Sequence, residues 1–124
     1  MTTLLHHPAD LDAPVACDMR TAPDTPGERL RAYAAVFDRA LARRERTGHA
    51  VVLGFAGDAA TRAQVTELAR REALCCPFVG HHVAIEGDEV VWTITNPAAG
   101  GRRAEIDAVL DAFHALPERA IAAA

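Results

Sequence analysis

His82-Val83-Ala84-Ile85-Glu86-Gly87-Asp88-Glu89-Val90-Val91-Trp92-Thr93-Ile94-Thr95 reads as a β-hairpin, because two apolar, β-branched runs flank Gly87-Asp88, a pair suited to a tight two-residue turn. Side chains alternate along a strand. Val83 and Ile85 therefore face inward, with His82, Ala84 and Glu86 on the other side. On the partner strand Trp92 and Ile94 share one face, opposite Val91 and Thr93.

Upstream, Ala50 to Phe55 is short and almost continuously apolar, which suits a central strand. Asp58 caps a helix running to about Cys75, where Pro77 disfavours helical geometry at Cys76 and stops it. Thr25-Pro26-Gly27-Glu28 is a capping box with proline at the first helical position. The helix it starts carries Leu30, Tyr33, Ala34, Phe37 and Leu41 on one stripe and is expected to run to Gly48. Val15 to Arg20 alternates as a first strand. Downstream, Asn96 to Gly101 is a loop, and Ile106, Val109, Leu110 and Phe113 mark a closing helix limited by Pro117. The expectation is an α+β fold with a single small sheet of about four strands and three helices, in the order β-α-β-α-β-β-α. Residues 1–13 are expected as a flexible N-terminal arm, 14–117 as one domain and 118–124 as a C-terminal tail.

The 124 residues are half apolar, enough for one core. A net charge of -4 and the lack of a basic recognition helix argue against nucleic acid as a partner of this chain alone. No apolar run approaches the roughly 20 residues that cross a bilayer. Met1 to Asp12 lacks a basic n-region and an h-region, so a cytoplasmic location is expected. Three cysteines, an odd number, argue against a disulfide framework. An exposed hairpin edge with short strands is compatible with a homodimer.

The chemistry concentrates in Glu72-Ala73-Leu74-Cys75-Cys76-Pro77-Phe78. Cys17 supplies a third thiol if the early segment returns to this helix end. Three thiolates suit a soft metal ion such as Cu(I), Hg(II) or trivalent arsenic. Zinc would want a fourth ligand, and His81 is the nearest. Cys75 is the candidate nucleophile and Asp18 a candidate proton donor. Glu72, one turn before the thiols, is a proton carrier or an arginine's partner. A helix C-terminus carries partial negative charge, which keeps a thiol protonated, so activation must come from Arg70, Arg71 or a protonated histidine. Each cysteine is also a plausible packing residue, since free cysteine is among the most buried types.

The Val-Ala-Cys segment (15–17), the arginine-rich first helix and the Glu-x-x-Cys-Cys-Pro-Phe helix end (72–78) resemble a family of small actinobacterial proteins. Similar segments occur attached to MerR-type regulators. The paired cysteines with an earlier Cys and Asp are similar to organomercurial lyase. That likeness implies mercury on Cys17 and Cys75, with Asp18 protonating the leaving carbon. A helix ending Cys-Pro-aromatic resembles OsmC-type thiol peroxidases, and there Cys75 or Cys76 would resolve a sulfenic acid. Three readings follow. The first is soft-metal or metalloid binding by Cys17, Cys75, Cys76 and His81 in detoxification or sensing, with organometal lyase chemistry as one form. The second is cysteine-dependent peroxide or disulfide oxidoreduction, with a small-molecule partner. The third is a non-enzymatic interaction domain with structural cysteines. Whether turnover occurs is left open by the sequence.

Overall fold

The computed structural model describes residues 1–123. It is an α+β fold with one antiparallel five-stranded sheet and four helices: β1 (Thr2–His7), α1 (Pro26–Ala40), β2 (Leu41–Arg46), β3 (Ala50–Ala56), α2 (Ala59–Cys75), β4 (Gly80–Glu86), β5 (Glu89–Thr95), α3 (Gly101–His114) and α4 (Leu116–Ala123). The strand order is β1-β4-β5-β3-β2, so the hairpin lies in the middle of the sheet. The exposed hairpin edge expected above is thus absent; β1 and β2 form the edges.

The register builds one apolar face. Leu53 pairs with Trp92 and Trp92 with Val83, while Val51 and His81 both pair with Ile94. The helices cover this face. Tyr33 stacks on Trp92 and Phe37, and Phe37 on Phe55, so an aromatic column joins α1 to the sheet. Val83, Trp92 and Ile94 point into this core as the alternation implies.

The helix starts match their sequence signals. The Thr25 hydroxyl accepts from the Glu28 N–H, and the Glu28 carboxylate from the Thr25 N–H. Asp58 accepts from the Thr61 N–H at α2.

Four expectations are corrected. Residues 1–13 contain β1, paired to β4 from Thr2 to His7, in place of a wholly flexible arm. Val15–Arg20 is a loop, because the Asp18 carboxylate accepts from the Arg20 N–H and closes a local turn that competes with strand pairing. The first helix ends at Ala40 and Leu41–Arg46 is β2, antiparallel to β3. Its arginines are held by acids distant in sequence: Arg43 by Glu89, Arg44 by Glu118 and Arg46 by Asp111. A charged edge strand of this kind resists pairing with other chains. The segment 118–123, expected as tail, lies in α4, with Ala120 buried; residue 124 falls outside the described residues. Among those residues no helix is long and apolar enough to cross a membrane.

At the turn end of the hairpin, the Gly57 N–H donates to the Asp88 carbonyl at 2.9 Å. A Cβ at Gly57 would stand 2.6 Å from that oxygen. The clash is with backbone, which cannot rotate away. Gly57→Ala is expected to lower unfolding free energy by about 2 kcal/mol. Urea denaturation checks this, and an unchanged midpoint would contradict it.

Candidate functional site

The loop between β1 and α1 is laid across the C-terminal end of α2 by two main-chain bonds. The Asp10 N–H donates to the Pro77 carbonyl at 2.8 Å and the Asp18 N–H to the Cys75 carbonyl at 3.0 Å. Proline at 77 leaves the helix at Cys75. Cys76 takes a non-helical backbone while its N–H still donates to the Glu72 carbonyl. These constraints bring Cys17 and Cys76, 59 residues apart, into a disulfide. The odd-count argument against disulfides is therefore corrected: two thiols pair and Cys75 remains free and buried. The two bonded cysteines differ in surroundings, for Cys17 is exposed and Cys76 is buried.

Behind the disulfide lies a buried charge cluster that sequence reading did not assemble. Arg29 of α1, 3% exposed, donates to both oxygens of Asp24 at 2.7 Å and to Glu72 Oε1 at 2.9 Å. Glu72 Oε2 lies 3.6 Å from the Cys76 sulfur. Within the disulfide that sulfur has no proton to donate; as a thiol it would donate to this carboxylate. Both terminal nitrogens of Arg29 lie 3.9 Å from the free Cys75 sulfur. Arg29, beside Asp24, holds that carboxyl down at about 2, and the two carboxylates raise the guanidinium further above its ordinary range. The cation near the thiols is thus Arg29. Arg70 instead pairs with Glu67, and Arg71 with Glu67 and Asp24.

Tyr33 completes the group. Its ring is buried in the aromatic column, and burial holds its hydroxyl protonated, with the Glu72 charge acting in the same direction. The hydroxyl lies close to the Glu72 carboxylate but completes no hydrogen bond of good geometry. Cys17, Arg29, Tyr33 and Glu72 all line one cavity of about 450 Å³, whose other walls come from α1, α3 and α4.

The remaining expected site residues lie elsewhere. The Asp18 carboxylate is gripped by the exposed Arg20, which holds it down at about 2. His81, on β4, accepts at Nδ1 from the Trp92 indole at 3.3 Å and packs against Phe113. That bond places the ring proton on Nε2, which is buried and is influenced by the Cys76 main chain without completing a hydrogen bond of good geometry. Among the described residues no three His, Cys, Asp or Glu side chains are arranged to hold a metal ion. Cys17, Cys75, Cys76 and His81 do not form the expected four-residue cluster. A paired Thr25–Glu28 start next to Asp24 and Arg29 was the available clue to the Arg29 cluster, but pairing across 43 residues leaves no local signature.

Comparison with known proteins finds no matching family model, no similar curated protein and no similar solved structure.

Burial pushes the His81 imidazole down to about 4, a fall that the Cys76 main chain offsets only in part. Between about pH 6.5 and 4 the unfolded chain binds the extra proton and the folded chain does not, so stability falls as pH drops through that window. The loss should total about 3 kcal/mol and level off below pH 4 as far as this group is concerned. Denaturation at several pH values checks it. His81→Phe should flatten the curve in that window, and an equally steep variant would show that another group is responsible.

Proposed function

We propose that the chain is a thiol–disulfide oxidoreductase in which Cys17 and Cys76 cycle between dithiol and disulfide. The observation that carries this reading is the asymmetry of the pair: an exposed cysteine bonded to a buried one, with a buried carboxylate 3.6 Å from the sulfur of the second. A disulfide needed only as a staple gains nothing from a proton acceptor at one sulfur. In exchange chemistry the attacking species is the thiolate, so a carboxylate there has a use.

In the reduced chain the Cys17 thiol gives its proton to water, and the thiolate attacks one sulfur of a substrate disulfide. A Cys17–substrate disulfide forms, and the other half leaves as a thiolate that takes a proton from water. Glu72 accepts the Cys76 proton, and the Cys76 thiolate attacks the Cys17 sulfur. The second half leaves as a thiolate and takes the proton from Glu72. Two electrons and two protons pass to the substrate, giving two thiols and the Cys17–Cys76 disulfide. Arg29 holds Glu72 in place through its other oxygen.

A second reading keeps the same two sulfurs. Their convergence without a third donor suits two-coordinate binding of a thiophilic ion such as Hg(II) or Cu(I) by the reduced pair.

The redox reading is tested by equilibrating the folded oxidised protein with glutathione buffers. An accessible catalytic pair should reduce without unfolding, at a potential above about -300 mV. Cys17→Ser should abolish exchange with a small disulfide, and Cys75→Ser should retain it within about threefold, since Cys75 takes no part in the attack. If the disulfide yields to reductant only when the fold is lost, the bond is structural and the proposal fails. Unit-stoichiometry Hg(II) binding far tighter than that of a free dithiol, in a protein inert to disulfides, would favour the second reading.

A further inference from the structure

Cys17, though exposed, does not stand on open surface. Cys17 lines the cavity of about 450 Å³, a volume within the range of small-molecule sites. Leu30 of α1, Val109 and Phe113 of α3 and Leu116 of α4 supply apolar walls, and the exposed Arg119 supplies a cation. Two of the polar groups on these walls are already satisfied, because Arg29 and Glu72 bond to each other. Tyr33 is different. It is 2% exposed, burial keeps it a neutral donor, and its hydroxyl, close to the Glu72 carboxylate, completes no hydrogen bond of good geometry. A buried hydroxyl without a partner is costly, and here it sits among the residues of a cavity that ends at a reactive sulfur.

We propose, resting on the redox reading above, that this cavity is the substrate site and selects hydrophobic low-molecular-weight disulfides over peptide disulfides. The apolar body of the substrate lies between α1 and the α3–α4 pair. A single acceptor atom on it takes the Tyr33 hydrogen bond, and its sulfur–sulfur bond meets Cys17. A peptide disulfide brings main-chain N–H and C=O groups that apolar walls leave unpaired, and that desolvation cost excludes it. The chemistry is the balanced exchange already given; the cavity adds choice of substrate.

The test compares the reduced chain's rates with dithiodipyridine, an apolar disulfide whose ring nitrogens are acceptors, and with oxidised glutathione. Each rate is divided by that of a free dithiol, which removes intrinsic reactivity. The corrected preference for dithiodipyridine should be about tenfold or more, the scale of one hydrogen bond plus partial burial. Ala112→Trp fills the cavity from an exposed position on α3. It should erase the preference, lowering the dithiodipyridine rate by a larger factor than the glutathione rate. Tyr33→Phe should raise KM for dithiodipyridine several-fold while changing the melting temperature little, because the hydroxyl it removes completes no hydrogen bond of good geometry within the protein. In the Cys17→Ser/Cys76→Ser chain, which cannot exchange, anilinonaphthalene sulfonate should bind by titration calorimetry, and Ala112→Trp should abolish that binding.

A corrected preference near unity, or probe binding indifferent to Ala112→Trp, overturns the cavity's role and leaves the redox reading standing. Failure to reduce either disulfide, with the probe still bound, overturns both.

Discussion

Arg29 is the constraint on which the site depends. It is a fully buried cation, and such a charge is tolerable only when its hydrogen-bonding capacity is spent on good partners. Asp24, just before α1, takes two of its donors and Glu72, in the last turn of α2, takes a third. The start of one helix is thereby fixed against the end of another, and that junction forms a wall of the cavity. The same residue fixes Glu72 so that its free oxygen faces Cys76. Loss of Arg29 would leave Glu72 without a counter-charge and Asp24 with Arg71 alone, in a poorly solvated place, a far worse outcome than loss of a surface pair.

The second constraint is the way the chain from 8 to 25 is fastened. Its main chain bonds to Pro77 and Cys75, and Pro77 itself decides where α2 stops. Proline rigidity, a turn closed by Asp18 and two main-chain hydrogen bonds together determine that the sulfur at 17 meets the sulfur at 76. They also determine that Cys75, one residue earlier on a regular helix, points instead toward Arg29. Adjacent helical positions diverge by about 100°, so the neighbours have different fates.

What could be read from the sequence was whatever has a local cause. The hairpin at Gly87-Asp88, the capping box at Thr25 and Glu28, and the stop at Pro77 each depend on residues within a few positions of one another. β1 and β2 were missed because their stability comes from afar. Leu41–Arg46 looks helical until Glu89, Asp111 and Glu118 are brought beside its arginines. The site divides along the same line. The importance of Glu72 and Cys76 was legible from an unusual local string and Cys17 entered only as a third thiol, whereas Arg29 and Tyr33 became visible only once α1 had been laid against α2. His81 looked like a ligand because it follows the cysteines closely, yet strand alternation turns it into the core beside Trp92.

The aromatic column has one more consequence. Trp92 is the single tryptophan of the chain; it stacks on Tyr33 on one side and bonds to His81 through its indole. Its intrinsic emission is therefore wired to two different events. A guest beside Tyr33 alters the polarity one ring away, and protonation of His81 places a quenching imidazolium against the indole. The chain carries its own optical gauge, readable without any attached dye, and acidity and occupancy would register as separable changes in brightness and colour.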